Sequence, residues 1–162
     1  MSHFDRPECN EQTDVEHFGL HDPEDGGPAV LVFDSGSDQN CIVENPAHHL
    51  CRFVAIDHCI EFHDQDGQLK RTCDAAIEYD GNLVLIELKH KRGQFIQTGV
   101  DQLRATIDLW QQEYPTVSYR VRRAVLANSK HPQFKYSHKS RMQQFFHETG
   151  FRLLIVGRIT LK

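Results

Sequence analysis

Apolar and polar positions along the chain change rhythm as it proceeds. Residues 1–28 are polar and acidic, and the breaker cluster His21-Asp22-Pro23-Glu24-Asp25-Gly26-Gly27-Pro28 closes them. That pattern predicts a weakly ordered arm or cover, followed by one domain over residues 29–162. Short apolar runs at 29–33, 50–56 and 59–62 read as strands, the second with a helical alternative. The runs 72–79 and 82–90 flank Asp80-Gly81, a strong hairpin signal. After Gly93, the positions Val100, Leu103, Ile107, Trp110 and Tyr114 recur at helical spacing until Pro115. A strand over 119–127 follows, then a helix over 137–149 carrying Met142, Phe145 and Phe146 and stopped by Gly150, then a strand over 151–156. From residue 59 the order is β-β-β-α-β-α-β. This predicts an α/β fold whose mixed sheet has a three-strand antiparallel meander followed by β-α-β elements.

Composition narrows the class. The 162 residues are 39% hydrophobic and 25% charged, as in ordinary globular domains, and no window is apolar for long enough to span a membrane. No apolar secretory leader is evident at the N-terminus. Five cysteines (Cys9, Cys41, Cys51, Cys59 and Cys73) are an odd number in a chain that needs no staples, and they read as reduced thiols of a cytoplasmic protein. The net charge of −5 conceals a division. Residues 1–66 carry 15 acidic and two basic side chains, while residues 67–162 carry 16 basic and eight acidic ones. A basic half of this kind suits a polyanion partner, although neutralisation by the acidic half would serve equally.

The hairpin holds the most informative residues. If Asp80-Gly81 is a two-residue loop, Tyr79 faces Asn82, and counting back places Asp74 opposite Glu87. Alternation puts Lys89 on the same face. Two facing carboxylates at about 4 Å repel by on the order of 4 kcal/mol at an effective dielectric near 20. The run Leu83-Val84-Leu85-Ile86 is that of a strand covered on both faces, so solvent screens the pair poorly. A shared proton, the Lys89 ammonium or a divalent cation must offset the repulsion. A hard cation held by two carboxylates and retaining its waters is a Mg²⁺ arrangement suited to phosphate chemistry.

Asp74, the Asp80-Gly81 turn, Glu87-Leu88-Lys89 and a glutamine-bearing helix together resemble the PD-(D/E)XK nuclease superfamily, whose fold is restriction-endonuclease-like. The resemblance covers about residues 50–127. It implies that Asp74 and Glu87, with the Leu88 carbonyl, bind Mg²⁺ or Mn²⁺ and that Lys89 assists the attacking water. It also implies a helix glutamine beside the site, here Gln102, and a metal-assisting glutamate on a first helix, for which Glu44 is the candidate. Cys73 stands where the motif's proline would be. The implied activity is metal-dependent hydrolysis of phosphodiesters, most simply in DNA. The size resembles that of junction-resolving and defence-associated members, many of them dimers, with specificity supplied by a partner or by DNA shape. The alternative is an inactive interaction module of the same fold, binding a protein or nucleic acid through its charged surfaces.

Basic residues that could hold a nucleic-acid backbone are Lys91 and Arg92 beyond the hairpin, Arg120 and Arg122 at the start of the third strand, and Lys135 and Lys139 near the second helix. A zinc site among Cys41, His48, His49, Cys51, Cys59 and Cys73 lacks the short ligand spacings such sites use. Cys51 or Cys59 as a nucleophile with His58 or His63 lacks a supporting motif.

Overall fold

The computed structural model describes residues 2–23, 25–34, 39–89, 95–128 and 138–162. The larger of its two sheets has six strands, in the order β1 (Asn10–Thr13), β5 (Cys51–Ala55), β6 (Ala75–Tyr79), β7 (Asn82–Lys89), β8 (Arg122–Asn128) and β9 (Arg152–Val156). The strands β5, β6 and β7 form an antiparallel meander, and β8 and β9 extend it in parallel. The parallel steps are bridged by α1 (Phe95–Glu113), between β7 and β8, and by α2 (Lys139–Thr149), between β8 and β9. The smaller sheet has the order β10 (Arg158–Thr160), β4 (Cys41–Glu44), β2 (His17–His21) and β3 (Val30–Val32), with β10 parallel to β4. The protein is thus a mixed α/β fold.

Its layers follow from side-chain alternation. Val54, Ala76, Leu83 and Leu85 turn to one face of the larger sheet and meet Val100, Leu103, Ile107 and Trp110 of α1 and Phe145 of α2. Ile77, Val84 and Ile86 turn to the other face and meet Phe18, Leu20, Val43 and Ile159 of the smaller sheet. The central strand β7 is therefore covered on both faces, which is why its apolar run is continuous. Asp80 and Gly81 both have positive φ, 45° and 74°, as a two-residue type I′ turn requires. The C-cap Gly150 adopts the left-handed conformation, and its amide bonds the Phe146 carbonyl at 2.8 Å.

Several expectations need correction. Residues 1–28 are not a loose arm: they supply β1 at the edge of the larger sheet and β2 inside the smaller one. Phe4 is fully buried against Trp110, with ring centroids 4.5 Å apart. Arg52 ties this segment down, donating to Asp5 (2.8 Å), Asn10 (2.7 Å) and the Phe4 carbonyl (2.8 Å) as well as to Glu78 (2.5 Å). Residues 59–62 are a turn running into irregular chain rather than a strand, so the meander begins at β5. Cys9 and Cys59 form a disulfide, brought together because β1 pairs with β5, so these two are not thiols. Cys41, Cys51 and Cys73 are free and buried, and burial raises all three thiols, Cys41 to about 12. Phe145 is fully buried, but Phe146, one step round the helix, is exposed.

Candidate functional site

The register of the β6–β7 hairpin runs from Tyr79↔Asn82 to Ala75↔Ile86, as a two-residue turn dictates. One step further, Asp74 has left the regular ladder. Its amide still donates to the Ile86 carbonyl at 3.1 Å, while its Oδ2 accepts the Leu88 amide at 2.7 Å. The carboxylate thus takes the place of a backbone acceptor on the edge of β7. The Leu88 carbonyl points to that same strand edge.

Glu87 points to the helix face beneath α1. A Cβ built on Gly99 of that helix would stand 3.5 Å from the Glu87 Cγ and 2.4 Å from a Leu126 methyl. Only glycine lets α1 approach the sheet this closely. Lys89 lies two residues on, and its Nζ pairs with Glu87 Oε2 at 3.0 Å. The Glu87 side chain is 1% exposed and that of Lys89 24%. The other carboxylate oxygen, Oε1, is buried with no hydrogen-bond partner among the described residues.

The electrostatics follow from this burial. Burial raises both carboxyl groups above the ordinary range. For Glu87 the neighbouring Asp74 charge raises it further and Lys89 opposes the rise. For Asp74 the hydrogen bonds with Glu87 and the Leu88 amide oppose it, while the charges of Asp22 and Asp57 add to it. In the absence of a cation, the pair therefore holds a proton. Neither Asp22 nor Asp57 is signalled by sequence spacing. Asp57 reaches the site because β5 runs beside β6, its amide donating to the Cys73 carbonyl at 3.3 Å.

Gln102 is also close, but in a different position from that expected. It is buried, and its Nε2 donates to the Thr72 carbonyl at 3.1 Å while its Oε1 has no partner among the described residues. Thr106, one turn on, accepts the Cys73 amide at 2.8 Å. These two helix side chains hold the 72–74 segment that presents Asp74. Gln102 is thus a positioning residue. A cleft of about 560 Å³ opens beside it, lined by Lys70, Arg71, Thr98, Asp101 and Asp108 among others. Lys70 and Arg71 make no ion pair among the described residues. A basic dipeptide three residues before Asp74 was a signal the sequence offered.

Other candidates stand elsewhere. Glu44 lies on β4 in the smaller sheet, where its carboxylate pairs with His17 and Arg158. It is not joined to Asp74 or Glu87. Arg120 grips the hairpin turn, bonding Asp80 Oδ2 at 2.9 Å, and Arg122 lies over the Phe151 ring. Because β8 is parallel to β7, Arg122 sits beside Leu83, while Leu126 sits beside Glu87, about 13 Å along the strand. These two arginines are therefore at the wrong end of the sheet to serve the carboxylates. Lys139 opens α2 and lines a groove with Met142, Phe146 and Arg152. Lys91, Arg92 and Lys135 lie outside the described residues.

Among the described residues, no group of three or more His, Cys, Asp or Glu side chains is arranged to hold a metal ion. The donor set at Asp74 and Glu87 is nevertheless of the kind Mg²⁺ uses, since that ion takes one or two carboxylates and keeps its waters. The unpartnered Glu87 Oε1 fits such a role. No family model, no curated protein and no solved structure matches the chain.

Proposed function

We propose that the protein is a metal-dependent phosphodiesterase, a nuclease acting most simply on DNA. The observation that carries this reading is the buried Asp74–Glu87 carboxylate pair with Lys89 anchored 3.0 Å from Glu87. A structure selected for stability alone has little reason to place two carboxylates together in a dry interior. The likeness to the PD-(D/E)XK superfamily supports the reading: an antiparallel meander, a helix and a further strand occur in the order that likeness implies. The superfamily's first helix has no counterpart before β5 among the described residues.

In this reading Asp74 and Glu87, with the Leu88 carbonyl, would hold Mg²⁺ or Mn²⁺. The bound cation supplies a coordinated water of lowered pKa and positive charge near the scissile phosphate. The chain's own residues do the rest. Lys89 keeps its ammonium partly open to solvent, where it can donate to the attacking water or to a phosphate oxygen. Gln102 and Thr106 fix the Asp74 segment against α1. Lys70 and Arg71, at the adjoining cleft, are placed to hold backbone phosphates.

The test is cleavage of linear duplex, single-stranded and branched DNA, with RNA alongside, in Mg²⁺, Mn²⁺ or EDTA, comparing wild type with Lys89→Ala. Metal-dependent cutting that the variant loses is the expected result. A folded protein that cuts nothing under any condition would overturn the reading. It would then favour the second one, a binding module without turnover, for which the near-complete burial of Glu87 is the supporting observation.

A further inference from the structure

The smaller sheet and the outer strand of the larger one enclose a second charged feature, unrelated to the carboxylate pair. A cleft of about 370 Å³ lies along β9 and β10, lined by Arg123, Arg152, Arg158 and Lys162 together with Tyr79 and Ile159. Among the described residues, no acidic side chain lines it. Arg123 and Arg152 are register partners on the parallel strands β8 and β9 and share a face. Like charges side by side on a sheet repel, so their retention needs an offset. Arg158 has one in Glu44, but Arg152 and Lys162 have no ion pair among the described residues.

Arg123 is held in place with one donor to spare. Its terminal nitrogens donate to the Thr160 carbonyl at 3.0 Å and to the Tyr79 hydroxyl at 2.6 Å. Its buried Nε–H has no acceptor among the described residues. The cleft therefore gathers four cations around a fixed Arg123, which is the chemistry of an oxyanion site. Four cations, of which only Arg158 has an acidic partner, leave the cleft strongly positive. One phosphate group brings only about −1.5 to −2 at neutral pH.

We infer that this cleft binds a ligand carrying two or more phosphate groups, such as a polynucleotide strand or a nucleoside polyphosphate. The inference does not rest on the phosphodiesterase reading. The cleft lies on the face of the larger sheet that looks to the smaller one, whereas Glu87 faces α1. It also gives the basic C-terminal half of the chain a specific place to act.

The experiment is calorimetric titration of the full chain in EDTA with inorganic tripolyphosphate, orthophosphate and a short single-stranded oligonucleotide. Arg152→Gln and Lys162→Gln are suitable variants because both side chains are exposed and make no ion pair among the described residues. Arg104→Gln, which removes one charge from α1, serves as the control. Tripolyphosphate should bind at least about tenfold tighter than orthophosphate, and each cleft variant should weaken it about tenfold, as loss of a charge-assisted hydrogen bond does. Arg104→Gln should leave it unchanged. Tighter binding of the oligonucleotide would identify a strand as the ligand, and tighter binding of tripolyphosphate a nucleoside polyphosphate. Either supports the site. No binding of either probe, orthophosphate binding as tightly as tripolyphosphate, or equal weakening by Arg104→Gln would overturn it. Because no metal is present and no cleavage is read, failure here is independent of the outcome at Asp74 and Glu87.

Discussion

The Asp74 carboxylate accepts the Leu88 amide at 2.7 Å and so completes the edge of β7 where β6 no longer supplies a backbone acceptor. The carboxylate proposed to hold the metal is thereby also a structural one, and substitutions can separate the two roles. Asp74→Ala leaves a buried amide without an acceptor and should destabilise the fold by about 1–3 kcal/mol. Asp74→Asn retains an acceptor and should stay within about 1 kcal/mol of wild type. Both should lose the stabilisation that Mg²⁺ or Mn²⁺ confers, about 2.7 kcal/mol at 100 times the dissociation constant. Denaturant unfolding with and without Mn²⁺ checks both expectations. An undiminished Mn²⁺ effect in Asp74→Asn would remove Asp74 from the metal site.

Lys89 is the counter-charge on Glu87. Lys89→Met should destabilise the protein near neutral pH, by less than the roughly 3–5 kcal/mol of a stranded buried charge, because the carboxyl pair can take up a further proton. The double variant Lys89→Met/Glu87→Gln should recover most of that loss. A double variant no more stable than the single one would mean that Lys89 contributes packing rather than charge.

The carboxyl pair also sets the direction of a pH dependence. Burial raises both groups in the folded protein, so that above about pH 4, where an unfolded carboxyl has lost its proton, the folded state still binds more protons than the unfolded chain. Stability in EDTA should therefore fall as pH rises from about 4 through the folded-state titration of the pair. Glu87→Gln should flatten that slope. Urea unfolding at a series of pH values reads it directly, and a rising slope in the wild type would contradict the shared-proton description.

The Cys9–Cys59 bridge closes a loop with a sequence separation of 50 residues. On a chain-entropy estimate its removal costs about 4 kcal/mol. Cys9→Ser, or reduction of the wild type, should lower the denaturant midpoint and steepen the slope somewhat, because the unfolded chain is then less compact, and reductant should not affect the variant further. Equal stability with and without reductant in the wild type would exclude the bridge in solution.

Local rules made the hairpin readable. Asp80-Gly81 admits two consecutive positive φ values, that turn sets the register as far as Ala75↔Ile86, and alternation along β7 puts Glu87 and Lys89 on one face. Helix α1 was readable for a similar reason, since Val100, Leu103, Ile107 and Trp110 repeat at its own period and all are buried.

What the chain could not announce was long-range. The smaller sheet is built from strands of three to five residues, drawn from β2, β3, β4 and β10, and none is long enough to show a period of its own. Its assembly gave Glu44 to Arg158 and made a cation cleft of Arg123, Arg152, Arg158 and Lys162. The parallel direction of β8 sent Arg120 and Arg122 away from the carboxylates, and the pairing of β1 with β5 joined Cys9 to Cys59. Local stereochemistry acts within a few residues, so the sequence alone determined the turn and the hairpin register, whereas Asp74, one step beyond that register, is placed by its bond to the Leu88 amide. Strand order and direction are decided by burial of apolar faces between segments far apart in the chain, so only the tertiary structure could decide which charges meet.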